Sequence, residues 1–290
     1  MFDFRYHALS LIAVLVALVL GLLLGVAIGD KGLVSSAEKS IKESLRKDVR
    51  SEQKKVADLS ATIDAKDKFA DEVYPLLVNG QLQDRKIGVI FLGQPSDEIN
   101  NEVRNALADT GGKEVGAVQI REPLTADKLA AAATGTRYEG LATGDDQMWE
   151  DFGKRMGVQL TNPARGKLLD RVRRPLFSQV AGSVGQYDGV VIARNPSSDI
   201  KGDDLHRLNA FEKGLTEGLT SHNVPAVGVE HADADPTQVP WYRDNGLSSV
   251  DNLDQTAGQA AMVFLLAGNT DGAFGVHQAR LLPDIAGGVG

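Results

Sequence analysis

The sequence predicts an α/β protein built as one N-terminal transmembrane helix, a charged helical or coiled-coil stalk, then a small doubly wound, receiver-like parallel-sheet domain with a helical insertion. Three observations predict it. Residues 8–29 are an uncharged apolar run, residues 35–78 hold no Gly and one Pro, and from residue 85 short apolar runs alternate with amphipathic stretches. The expected organisation is a head at 1–7, a span at 8–29, a stalk at 35–78 and an α/β domain at 85–290, with the insertion at about 143–182.

The span comes first. Its 22 residues, at about 1.5 Å each, reach across a ~30 Å hydrocarbon layer. Fourteen of them are Leu, Ile or Val, and Phe2, Phe4 and Tyr6 suit an interfacial aromatic belt. Gly25-Val26-Ala27 would suit signal-peptide cleavage, but the run exceeds an h-region of about 7–15 residues and its head carries one Arg. A retained anchor is the better reading. Ala13, Ala17, Gly21, Gly25 and Gly29 recur every four residues. Such a small-residue face lets two helix backbones approach closely, so helix–helix association is expected. Arg5 precedes the span, while Lys31, Lys39, Lys42, Arg46 and Lys47 follow it. Taken literally, the positive-inside rule keeps the large domain in the cytoplasm.

The stalk opens at Ser35-Ser36-Ala37-Glu38, read as a capping box. Leu45, Val49, Val56, Leu59, Ile63, Ala70, Val73 and Leu77 keep a 4/3 register, with Glu52 and Lys66 breaking the seam. A narrow apolar seam on a charged helix points to a coiled coil or a stalk with a single partner stripe, the alternative being one long solvated helix with no partner; beside the small-residue span the seam fits a parallel homodimer.

The domain follows. Lys86 to Gly93 is a continuous apolar run, as a strand buried on both faces requires. Ile99, Val103 and Leu107 mark a helix stopped by Gly111-Gly112, and Val115–Ile120 reads as a second strand. Leu124–Ala133 is helical, Asp188–Ala193 a strand, Asp203–Leu219 a helix, Pro225–Val229 a strand and Ser249–Leu253 a short one. Thr256–Ala267 is an apolar helix. Strands alternating with helices imply right-handed βαβ units. Between them, Met148, Trp149, Phe152 and Met156 form a stripe at helical spacing, and Arg165, Lys167, Arg171, Arg173 and Arg174 follow beside Leu168, Leu169 and Val172. An inserted helical pair fits this segment. It serves either as a partner-binding surface, carried by Met148, Trp149, Phe152, Met156, Arg171 and Arg174, or as extra core.

Composition bounds the chemistry. The chain has 290 residues, no Cys, and 31 Lys plus Arg against 39 Asp plus Glu, a formal charge of −8. This excludes disulfides, thiolate metal sites and a cysteine nucleophile, and argues against broad nucleic-acid binding. The first strand–helix turn, Gly93-Gln94-Pro95-Ser96-Asp97, has neither GxGxxG nor a Walker lysine. A phospho-acceptor receiver needs acids at its strand ends, yet the strand at 188–193 runs into Arg194-Asn195-Pro196. Asp145-Asp146 reads as a helix cap, and His206 and His222 lie on or beside helix surfaces. His231, near Glu230, Asp233 and Asp235, is the weak metal candidate. With no GxSxG elbow either, the residues point away from an enzyme and toward no bound cofactor.

The head Phe2-Asp3-Phe4-Arg5-Tyr6-His7, the span ending Gly25-Val26-Ala27-Ile28-Gly29, and the tail Gly275-Val276 with Leu281-Leu282-Pro283 resemble the mycobacterial copper-transport protein B (MctB) family of actinobacteria. That resemblance implies copper efflux or homeostasis at the envelope, in some descriptions through an outer-membrane pore, with copper as the metal handled. For cell-separation members of corynebacteria it implies an exported receiver-like domain that relieves autoinhibition of an NlpC/P60 peptidoglycan hydrolase and works with a membrane partner. Both put the large domain outside the plasma membrane, against the charge count. The residues favour the second role, because a pore needs several spans or a closed barrel, and four Met and five His are scattered.

Overall fold

The computed structural model describes residues 4–29, 33–162, 167–268 and 270–283. The chain divides into two compact units, Met1–Lys66 and Asp67–Gly290.

In the first unit, α1 runs Phe4–Gly29 and α2, Leu33–Val78, begins. Within α1, Tyr6–Ala27 is long and apolar enough to cross a membrane, and none of it is buried. Uniformly apolar side chains facing no protein are what a lipid-embedded helix presents. Because α2 is already helical at Leu33, Ser35–Glu38 lies inside it and not at its N-terminus, which displaces the expected capping box. Along α2, Ile41, Leu45, Val49, Val56, Leu59 and Ile63 are all exposed.

The second unit is a three-layer α/β body around a seven-stranded sheet ordered β3-β2-β1-β4-β5-β6-β7. Its strands are β1 Lys86–Gly93, β2 Lys113–Ile120, β3 Phe177–Gly182, β4 Gly189–Asn195, β5 Ala226–Val229, β6 Ser248–Val250 and β7 Ala273–Phe274. All neighbours pair in parallel except β2 with β3, which are antiparallel. Setting β3 and β7 aside, the order is the doubly wound 2-1-3-4-5 pattern that the alternation predicts.

Alternation along β1 explains the two layers. Val89 and Phe91 face one side with the last turns of α2, α3 (Asp97–Leu107) and α9 (Thr256–Ala267). Ile90 and Leu92 face the other with α4 (Ala126–Ala132), α5 (Asp146–Thr161), α6 (Lys167–Leu176), α7 (Asp203–Thr220) and α8 (Val239–Asp244). The stretch of α2 from Asp67 belongs to this body. Tyr74 and Val78 are buried, and the Tyr74 hydroxyl donates to the Ala106 carbonyl at 2.7 Å.

The segment 143–182 departs in part from expectation. It holds the two helices α5 and α6, but its last six residues form β3, an outer edge strand whose residues after Phe177 are exposed. Phe-Ser-Gln-Val-Ala-Gly lacks the apolar weight of a central strand, so its strand character comes from pairing with β2 and not from its own pattern. The Arg121 guanidinium fixes the turn into it, donating to the carbonyls of Pro175 at 3.1 Å and Phe177 at 2.9 Å.

Candidate functional site

The apolar stripe of the insertion faces inward. Asp145 starts α5 by accepting the Met148 N–H at 3.0 Å, and the helix then lays Trp149, Phe152 and Met156 into the core, each with no exposed surface. Phe152 meets Tyr138 edge-on at 5.3 Å between ring centroids and Phe211 of α7 at 5.8 Å. Of the two roles the sequence left open for this stripe, the structure assigns core. Trp149, Phe152 and Met156 cannot present themselves to a partner, and Met148 is only partly exposed as it packs against that core.

The basic residues are outside. Arg171 is exposed on α6 and donates to the Thr134 carbonyl at 2.6 Å, while Arg174 is exposed at the end of the same helix. An exposed cationic face over an apolar inner face is what the pairing of Leu168, Leu169 and Val172 with the intervening arginines dictates on a 3.6-residue period.

A second feature lies where doubly wound folds bind ligands, at the carboxyl ends of the strands where the crossovers diverge. Here β1 feeds α3 on one face while β4 feeds α7 on the other, opening a cleft of about 330 Å³. Gln94, Arg194, Asn195, Glu230, His231 and Asp235 are among its walls. Gly93 closes the first turn at φ +97, pressed so closely against the Asn195 carbonyl that a side chain there would overlap it.

Part of the polar lining of this cleft is paired within the protein. Arg194 donates from Nε to Glu212 Oε2 at 3.1 Å and from Nη1 to Gln238 Oε1 at 2.6 Å, and its guanidinium stacks 4.5 Å from the Trp241 ring centre. Glu212 is wholly buried, and burial pushes its carboxyl up to about 7, against the attraction of Arg194 and with the repulsion of Glu122. One oxygen of each of these glutamates is buried with no hydrogen bond. Glu122 and Glu230 are raised in turn, chiefly by burial. Glu230 accepts from the Thr237 hydroxyl and from the Gln238 N–H.

His231, the sequence's metal candidate, is engaged elsewhere. Its Nε2 lies 2.7 Å from Glu102 Oε2 on α3, which ties the β5 loop to that helix. Among the described residues no group of three or more His, Asp or Glu is placed to share a metal ion. Glu102 lies 129 residues away in sequence, so no local spacing could have pointed to it.

The association face of α1 is laid out as the spacing dictates. Ala17, Gly21 and Gly25 line a shallow groove, and nothing lies within 4 Å of a Cβ placed on either glycine. Gly29 closes α1, and its surroundings are outside the described residues.

With these sites in place, the comparisons add one identity. A family model described as "Copper transport outer membrane protein, MctB" matches residues 1–281. The match covers almost the whole chain, and the chain belongs to that family. Among curated proteins none matches it.

Proposed function

We propose that this member of the MctB family is a single-pass envelope adaptor that acts by binding other proteins, without catalysis of its own. One observation carries the reading. Ile41, Leu45, Val49, Val56, Leu59 and Ile63 stand exposed along α2, beside a helix of membrane-spanning length. Six aliphatic side chains in water on an otherwise charged helix are a cost that a protein partner removes, at roughly 25 cal/mol for each Å² covered. A heptad-type seam receives another helix. The partners are those the family resemblance implies: a second parallel copy, a membrane protein, and an NlpC/P60-type peptidoglycan hydrolase activated during cell separation. The large domain is then extracytoplasmic.

The inward-paired polar groups of the cleft support a non-catalytic reading, because Arg194, Glu212, Glu230 and His231 each already hold a protein partner. The test is a stalk variant, Leu45→Ser with Val56→Ser, Leu59→Ser and Ile63→Ser. It is expected to lose hydrolase activation while the unit 67–290 keeps its unfolding transition, followed through Trp149 and Trp241. Full activation by this variant refutes the adaptor role of α2. Protease access to residue 290 in intact cells tests sidedness, and cytoplasmic protection refutes the reading.

The family description favours a second reading, copper efflux or homeostasis. Calorimetric titration of the full-length chain with Cu(I) and Cu(II) separates the two. Stoichiometric binding at micromolar or tighter affinity makes copper a direct ligand, and heats of dilution alone leave copper sensitivity as an indirect consequence of a faulty envelope.

A further inference from the structure

We propose that the helical insertion carries a binding site for a phosphoryl group, in a basic pocket distinct from the strand-end cleft and from the stalk. The turn after α4, α5 and the first turns of α6 converge on a depression of about 500 Å³. Among the described residues, Arg137, Arg155, Lys167 and Arg171 line it together with Tyr138, and no acidic side chain does. Four cations around one hollow, in a chain whose formal charge is −8, repel one another unless an anion sits among them.

Internal pairing leaves much of this charge unanswered. Arg155 and Lys167 have no hydrogen-bond or ion-pair partner among the described residues, although Arg155 is half-buried. Arg171 spends one N–H on the Thr134 carbonyl at 2.6 Å, and Arg137 one on the Tyr138 hydroxyl at 2.7 Å. Asp151 approaches Arg137 only at 3.6 Å, between two well-exposed side chains, which is a weak pair. Of the acids close in sequence, Glu139 accepts the Gly135 N–H at 3.0 Å, and Asp170, next to Arg171, is exposed and outside the lining.

The charge count chooses the ligand. A carboxylate brings a single negative charge, whereas a phosphate monoester brings about −1.5 to −2 at neutral pH with three acceptor oxygens. Guanidinium forks from two or three sides match that geometry, with the lysine as a point charge. A pocket of this volume also has room for an organic body attached to the phosphoryl group.

The test uses the full-length chain in maltoside micelles, free of other phosphate, at fixed ionic strength. Inorganic phosphate and a short-chain phosphatidic acid, both phosphomonoester-type anions, are titrated separately by calorimetry. Saturable binding of at least one probe is expected, weakened at least tenfold by Arg155→Gln with Lys167→Gln. The Lys113→Gln, Lys201→Gln pair, which removes the same charge elsewhere on the surface, is expected to leave binding unchanged. Binding of phosphate marks a soluble phosphate ester, and binding of the lipid alone marks a headgroup. No saturable binding of either probe overturns the site, as does binding that the pocket variant leaves intact while the domain stays folded. A hexaglutamate peptide that binds more tightly than both probes also overturns it, in favour of an acidic protein segment.

Discussion

Gly153 of α5 abuts the backbone carbonyl of Phe211 on α7 so closely that an added Cβ would overlap it. The contact repeats along the pair: Gly157 lies against Leu215 and Leu219, Gly214 against Glu150, and Gly218 against Lys154. Glycines four residues apart on both helices therefore let two backbones meet, as small residues do between membrane helices, but here in a helical layer packed on a sheet. Exposed bridges, Lys213 to Glu150 at 3.0 Å and Lys154 to Glu217 at 3.2 Å, flank the seam.

Gly153→Ala is expected to force α5 from α7, since the obstacle is backbone and cannot rotate away. Overpacking of this kind costs about 1–3 kcal/mol. Urea unfolding of the full-length chain, read through Trp149 and Trp241, measures it. The same substitution at Gly202, where a Cβ meets nothing but φ is +58, separates packing from backbone strain.

Phe152→Ala empties a wholly buried site between Tyr138 and Phe211 and is expected to cost about 3–5 kcal/mol. Arg174→Ala, on the exposed end of α6, is expected to stay within about 0.5 kcal/mol. Equal effects of the two would contradict the inward orientation of the stripe. Any loss of partner binding in Phe152→Ala is thus to be read as unfolding.

Why some of this was readable in the sequence follows from which residues carried a periodic signal. β1 and β4 announce themselves because parallel strands covered on both faces must be apolar throughout. The stripe Trp149, Phe152 and Met156 gave the helix but not its direction, since an amphipathic face looks alike whether it meets a partner or its own core. The direction was written in Gly153-xxx-Gly157 and Gly214-xxx-Gly218, two matching spacings 61 residues apart whose pairing no single window reveals. β3 was illegible because an exposed edge strand owes its form to β2. The Arg194–Glu212 contact, like that of His231 with Glu102, joins different elements and leaves no local trace.

Glu212 makes stability depend on pH. Its carboxyl sits at about 7 in the folded protein, against an ordinary value of 4.5, because it is buried. The folded state therefore holds a proton that the unfolded state has released. Its contribution to stability declines as pH rises from about 4.5 to 7 and is constant above, with a slope approaching 1.4 kcal/mol per pH unit. The gap in unfolding free energy between wild type and Glu212→Gln should shift across pH 5–7 and level off by pH 8. Glu230, shifted in the same direction, persists in the variant and adds a common slope, whereas Glu122, whose charge repels Glu212, contributes to the difference together with it. Parallel curves for the two proteins would show that Glu212 does not titrate in this window.

The last prediction concerns α1. Ala17, Gly21 and Gly25 leave a groove in which nothing lies within 4 Å of the two glycines' Cβ positions. In lipid no hydrophobic force drives helices together, so association rests on close backbone contact, which a bulky residue at the crossing prevents. Gly21→Leu with Gly25→Leu keeps the helix apolar and of spanning length, so insertion is expected to be unchanged. In a membrane two-hybrid reporter, pairing of the span with itself or with a partner span is expected to fall to background. A Leu18→Ile, Leu22→Ile variant, which alters the aliphatic positions beside the glycines, is expected to keep pairing. Retained signal in the glycine variant would mean that these glycines reflect only the ordinary composition of membrane helices. The exposed seam of α2 would then have to hold any complex alone, and the Ser variants of Leu45, Val56, Leu59 and Ile63 would abolish it without help from the span.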